Sequence, residues 1–471
     1  MPTNPVEIST DQFLRLAERV TQLAAGYLEN IDALPIAPTT SGEETLRLFR
    51  TDLPEDGIGE DALNALPEVI DLSRVQNGRF FGYVLGSGEP VGAVADLFAS
   101  ILNQNVTAWR SGPAAVIIEQ TVVGWLAQAI GCPGFRGHLT GGGSSANLMG
   151  LTMARETKAP ANERGIKPDI VVYASSEIHM SIPKSIALLG IGRDNLRLVP
   201  TDAAFRMIPA QLEARILEDK SAGKTPIAVV ASAGTVSTGA IDPFPQIAEI
   251  ARRHGAWFHI DGAYGALAAI ADREKFSGLE LADSISLDPH KWLYQPLDCG
   301  CLLYRSPEAA QQTFSHSGDY ARSLSADPIE GFVFFEESIE LSRRFRALKL
   351  WLSLRYHGVN AFRRSIAKDM AQARRLASAI ERKSELELLA PVELSAVCFR
   401  YRGAGGRSEE ELNDFNLALL KRIVARGRVY LSNASLHSKF CLRACIVNHR
   451  TKDADIDSVI SEVMAAARDL S

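Results

Sequence analysis

The chain has no apolar run of membrane-spanning length, no excess of positive charge, no CxxC pair, no low-complexity tract and no internal repeat. The missing apolar run argues against a bilayer-crossing helix. A formal net charge of -6 argues against nucleic acid or an anionic membrane as the main partner, because both need a basic field. The six cysteines, at 132, 299, 301, 398, 441 and 445, show no histidine spacing suited to zinc, so buried free thiols and no bound metal are expected. The opening MPTNPVEIST lacks the basic-then-apolar pattern of a signal peptide, so a cytoplasmic location is expected. Small polar substrates remain open.

What is present is an ordinary globular composition: 471 residues, 46% hydrophobic, enough for a large core and two or three packed domains. DQFLRLAERVTQLAAGYLENI carries apolar residues at helical spacing and is followed by the connector LPIAPTTSG, which predicts an N-terminal helical arm within residues 1–89. From about 90 to 359, helical patterns alternate with the apolar runs DIVVYAS, PIAVVASAG, AWFHIDG and DSISLD. That rhythm predicts an α/β domain with a mostly parallel sheet. A long helix is expected over 342–358, and a small C-terminal α+β domain over 360–471, with LSAVCFRYR and KFCLRACIV as strands and GAGG at 403–406 as a turn.

In such sheets ligands collect beyond the carboxyl ends of the strands. Three segments place chemistry there. LTGGGSSANLMG leads from glycines into a helical pattern, which suits either a phosphate cradle at a helix N-terminus or a plain N-capped turn with Ser144 or Ser145 as cap. WFHIDGAYGA delivers Asp261 from an apolar strand, as a helix cap or as the partner of a buried cation. ISLDPHKWLYQP delivers Lys291, which is either a stem covered by aromatic neighbours or a covalent anchor. Taken together, phosphate cradle, carboxylate and lysine are what pyridoxal 5'-phosphate requires: a Schiff-base amine, an acid to keep the pyridine nitrogen protonated, and an anion site.

DSISLDPHKW resembles the lysine motif of the group II pyridoxal-phosphate-dependent amino acid decarboxylases, the family of aromatic L-amino acid, tyrosine, tryptophan, histidine and glutamate decarboxylases. The resemblance runs in one order through RFFGY, TGGGSSANL, SSEIHMSI, AGTVSTGAIDP, HIDGAYGA, RRFRALKLW and LRACIVNHRT. It implies pyridoxal-dependent fold type I, the aspartate aminotransferase-like architecture. It further implies that Lys291 is the covalent anchor, Asp261 the partner of the pyridine nitrogen, Ala263 the packing against one ring face, and His179 the group on the other face that touches the substrate carboxylate. Gly143 and Ser144 match the phosphate positions, with Ser284, Asp288 and His290 nearby. A carboxylate beside a phosphate would repel it, so Asp288 is expected to turn away, present its backbone or be compensated by His290. Tyr320, in HSGDYARSL, matches a lid-loop tyrosine that returns a proton after carbon dioxide leaves.

The substrate side chain is expected to meet Tyr83, Val84 and Trp292 and, from the second subunit of a homodimer, Asn105 and Thr107. Arg443 and Arg450 are expected to be mainly structural. The activity so implied is decarboxylation of an L-amino acid to its amine, with an aromatic substrate favoured by RRFRALKLW and the Tyr320 loop. Val84, Leu85 and Gly86, with Gln104, Asn105 and Thr107, depart from the aromatic-selective pattern of the family, which keeps polar or acidic substrates such as glutamate, aspartate or histidine open. Other readings are an aminotransferase or aldehyde synthase on the same fold, a nicotinamide dehydrogenase suggested by the glycine-rich loop, and a non-catalytic scaffold.

Overall fold

The computed structural model describes residues 4–38, 40–316 and 327–470. Strands β1 (Arg136–Thr140), β2 (Ile170–Ser175), β3 (Leu196–Val199), β4 (Thr225–Ser232), β5 (Trp257–Asp261), β6 (Ser284–Leu287) and β7 (Gly300–Tyr304) form a seven-stranded sheet in the order β1-β7-β6-β5-β4-β2-β3. All neighbours are parallel except at β7, which runs antiparallel to both β1 and β6. The central strands are buried along their length, as in the TPIAVVAS of β4, because helices cover both faces and leave no polar side to alternate with.

Strands β8 (Leu386–Leu388), β9 (Ala396–Tyr401), β10 (Ser432–Leu436) and β11 (Lys439–Cys445) form a second, antiparallel sheet in the order β10-β11-β9-β8. At the other end of the chain the helix Thr10–Asn30, closed by a Ser9 capping box, buries none of its own residues. All six cysteines are free and buried. Among the described residues no helix is long and apolar enough to cross a membrane.

The helix expected from 342 begins only at Ala347. The residues before it stay irregular because Arg343 turns inward. Its buried guanidinium pairs with Glu119, donates to the carbonyls of Val106 (2.9 Å) and Leu139 (3.0 Å), and lies over the Phe334 ring. An unpaired charge at that depth is costly, so the pairing outweighs one further helical turn.

Candidate active site

Because β1 runs parallel to β6 and hence to β2, β4 and β5, the carboxyl ends of these five strands lie along one edge of the sheet. The segments leaving them converge on a cavity of about 810 Å³. Gly141 to Ser145 follow β1, His179 and Ser181 follow β2, Gly234 to Val236 follow β4, Asp261 and Ala263 close β5, and Asp288 to Lys291 follow β6. Tyr83 and Val84 from the N-terminal part, and Ser432, Asn433 and Arg443 from the second sheet, complete the wall. Gly86 braces the lysine turn from outside: its N–H donates to the His290 carbonyl (3.1 Å), and a Cβ there would come within 2.5 Å of the Lys291 carbonyl.

Lys291 lies in the short helix Pro289–Trp292, with its Nζ 2.9 Å from Asp288 Oδ2. Asp288 is buried, faces the cavity, stands 3.5 Å from His290 Nε2, and leaves Oδ1 without a partner. His290 is anchored through Nδ1 to the Cys299 carbonyl (2.7 Å), and burial lowers its pKa. Asp261, also buried, accepts through Oδ1 from the Ser286 hydroxyl (3.1 Å) and the Ala263 N–H (3.2 Å). The helix Gly143–Lys158 starts at the cavity with Gly142 (φ +140°) as its cap and no capping side chain, so the first-turn N–H groups and the positive end of the helix dipole face inward. A primary amine, a carboxylate and an uncapped helix N-terminus around one cavity are a donor set that fits pyridoxal 5'-phosphate.

Residues 48–402 match the pyridoxal-dependent decarboxylase conserved domain. The chain belongs to the pyridoxal-dependent decarboxylases. It is an amino acid carboxy-lyase of fold type I, with pyridoxal 5'-phosphate as its cofactor. It is 33% identical to an aromatic-L-amino-acid decarboxylase of Bacillus atrophaeus, over 99% of this chain and 98% of that protein. It is 30% identical to a phenylacetaldehyde synthase of Petunia hybrida, over 93% of this chain and 91% of that protein. Among solved structures it superposes on Oryza sativa TDC with PLP and tryptamine at a TM-score of 0.92, with 26% identity and full coverage of both chains.

Of the residues singled out from the sequence, Gly143, Ser144, His179, Asp261, Ala263, His290, Lys291, Tyr83 and Val84 line the decarboxylase cavity. Four do not. Ser284 opens β6, one pleat period short of the cavity, and its hydroxyl is held in the core by Trp257 and His259 (both 2.8 Å); Ser286 is the serine that reaches Asp261. Trp292 points away, fully buried and stacked on Tyr264 with centroids 5.9 Å apart. Asn105 and Thr107 are engaged with other backbone of their own chain, accepting from the N–H groups of Arg343 (2.9 Å) and Phe334 (2.8 Å). Tyr320 lies outside the described residues.

Of the three alternatives expected for Asp288, turning away is not the one seen: the side chain faces the cavity with His290 Nε2 at 3.5 Å, and Lys291 Nζ is closer still at 2.9 Å. Arg450 fits its structural expectation, donating to the carbonyl of Gly88 (3.0 Å). Arg443 does more. It braces the carbonyls of Ser237 (3.0 Å) and Tyr83 (3.2 Å), yet lines the cavity with Nη2 buried and unpartnered. The signal for it was a lone arginine within the apolar strand KFCLRAC, where a buried charge needs a reason.

Gly143 offers a direct test of the helix end as a cofactor cradle. A Cβ there would lie 2.6 Å from Ala263 Cβ and 3.0 Å from Asp288 Oδ2. Overpacking of this kind costs about 1–3 kcal/mol, which exceeds the helix-propensity gain of alanine over glycine, about 1 kcal/mol at most. Gly143→Ala should therefore weaken pyridoxal phosphate retention about tenfold or more. Cofactor absorbance during dialysis measures it, and unchanged retention would remove Gly143 from the cradle.

Proposed function

We propose that this decarboxylase acts on an L-amino acid with an aromatic side chain, releasing carbon dioxide and the corresponding amine. The observation that carries the proposal is the convergence of Lys291, Asp261, His179 and Arg443 on one cavity with two tyrosines, Tyr83 and Tyr264, in its wall, the Tyr83 hydroxyl standing 3.1 Å from that of Tyr430. The aromatic-L-amino-acid decarboxylase of B. atrophaeus, similar over nearly its whole length, supports the same substrate class.

When bound, pyridoxal phosphate supplies an electron sink for the bond broken at the α-carbon. Lys291 would be the residue that holds it covalently and leaves room for the substrate amine, with Asp288, 2.9 Å away, as the partner of the lysine ammonium. Asp261 would keep the pyridine nitrogen protonated, Ala263 would support the ring, and Gly143, Ser144 and His290 would hold the phosphate. His179 covers the other face and donates to the substrate carboxylate, and Tyr320 returns a proton to the α-carbon. In the same proposal the chain divides near residues 90 and 360 into arm, large domain and small domain. It also works as a homodimer in which Asn105 and Thr107 of one protomer approach its partner's substrate. An unburied arm helix and the exposed apolar residues Val94, Leu97, Phe98 and Ile101 of the helix Pro90–Leu102 support a second copy as their cover.

A second reading has an observation of its own. The unpartnered Nη2 of Arg443 suits a second carboxylate, and so an acidic substrate. A screen of the amino acids for carbon dioxide release by the pyridoxal-phosphate-loaded protein separates the two. Release from tyrosine, tryptophan or DOPA, at least about tenfold above glutamate and aspartate, is expected from a preparation that sediments at twice the chain mass. Release from glutamate or aspartate alone would overturn the aromatic reading. An aldehyde product in place of the amine would align the chain with the P. hybrida synthase instead.

A further inference from the structure

Behind His179 a line of hydrogen bonds runs through the core. The Trp257 indole Nε1 donates to Ser284 Oγ (2.8 Å), which stands 2.8 Å from His259 Nδ1. His259 Nε2 stands 2.9 Å from Asn147 Oδ1, Asn147 Nδ2 donates to Ser181 Oγ (3.0 Å), and Ser181 Oγ lies 2.9 Å from His179 Nδ1. Every residue between the indole and His179 is buried. Gly150, inside the helix Gly143–Lys158, makes room for the line, because a Cβ there would sit 2.7 Å from His259 Cε1.

The direction of this line follows from its far end. An indole N–H can only donate, so Ser284 accepts from it and has one hydrogen left, which goes to His259 Nδ1. Burial lowers the His259 pKa to about 4, so the ring is neutral and carries its proton on Nε2, toward Asn147 Oδ1. That fixes the Asn147 amide with its NH2 toward Ser181, whose hydroxyl hydrogen is then free only for His179 Nδ1. The backbone N–H of Ser181 donates to the same nitrogen (3.2 Å). Running the line the other way would strand the Ser284 hydroxyl hydrogen in the core, at the cost of an unmade buried hydrogen bond.

We propose that Trp257, Ser284, His259, Asn147 and Ser181 are positioning residues, a one-way hydrogen-bond chain that fixes His179 as the neutral tautomer with its proton on Nε2, so that it meets the substrate as a donor. The proposal rests on the reading that His179 faces the substrate carboxylate. Its value is chemical. An imidazolium would attract that carboxylate most strongly before the bond breaks and lose the attraction as neutral carbon dioxide forms, which stabilises the ground state and slows the step. A neutral donor orients the group with little of that penalty. Burial lowers the His179 pKa, Asp261 and Asp288 oppose the shift, and Lys291 and Lys184 reinforce it; Arg443 and His290 face the same cavity.

Neutron diffraction from the deuterated wild-type protein, with and without pyridoxal phosphate, reads the proposal without any variant. Deuterium is expected on His179 Nε2 and His259 Nε2 and absent from both Nδ1 atoms; deuterium on His179 Nδ1 would overturn it. Because Ser181→Ala removes a donor that favours the neutral ring, the His179 pKa should rise and the acid limb of kcat/KM should move to higher pH. Its kcat should fall roughly tenfold with KM little changed. Ser181→Thr, which keeps a hydroxyl, should restore both, and Asn147→Leu should reproduce the loss. An acid limb unmoved in both folded loss variants would overturn the proposal. A protein that decarboxylates nothing would instead defeat the functional reading, and the neutron result would still decide the tautomer.

Discussion

Replacing Lys291 by alanine should lower carbon dioxide release by more than about a thousandfold, on the order of 4 kcal/mol of barrier, and leave no borohydride-stable adduct of pyridoxal phosphate on the protein. The amine that disappears is the one that reaches 2.9 Å from Asp288 at the floor of the cavity. Removing it also leaves the buried Asp288 with only His290 at 3.5 Å, so some loss of stability accompanies the loss of chemistry. Lys291→Arg separates the two effects. It keeps a cation beside Asp288 but cannot form the covalent link, so it should melt like wild type and remain inactive. The mass of the borohydride-treated protein is the deciding measurement: an adduct retained by the alanine variant would put the anchor elsewhere.

The second large effect is expected at Asp261. Asp261→Asn preserves an oxygen to accept from Ser286 and the Ala263 N–H, so the local geometry survives. On the proposed role it removes the negative charge that would keep the pyridine nitrogen protonated, in a setting where burial makes that charge count. A fall in kcat of about a hundred- to a thousandfold is expected, as for the loss of one preorganised electrostatic partner, with cofactor retention changed less than about tenfold. Steady-state rates and cofactor titration on the same samples test it. A kcat within about tenfold of wild type would mean that another group holds the ring nitrogen.

Much of this fold was legible in the sequence, and the exceptions share a cause. Strands β2, β4, β5 and β6 stand out because both of their faces are covered and their apolar runs are long. The short RGHLT of β1 and GCLLY of β7 owe their extended form to pairing with each other, a tertiary fact that five residues do not announce. Asp261 and Lys291 could be located because they end strand-like runs. Ser284 and Ser286 could not be told apart, since both point to the same side of a strand with period two. Only the register, with Ser286 opposite Asp261 and Ser284 opposite His259, gives one to the Asp261 carboxylate and the other to the core. The strand around Arg443 predicts a structural role, because nothing in it reveals that the fold brings this side chain to the cavity and to the Tyr83 carbonyl from the far end of the chain.

That reach across the chain has a kinetic consequence. Gly86 clamps the lysine turn from the N-terminal side, and Arg443 ties the Tyr83 backbone to the last third of the sequence, so the pocket closes only when segments hundreds of residues apart have met. Contacts so distant form late, after loop-closure entropy has been overcome elsewhere. Coenzyme capture is thus a reporter of the last stage of maturation: a nascent chain released early would own its lysine and its carboxylate and still be unable to keep the vitamin.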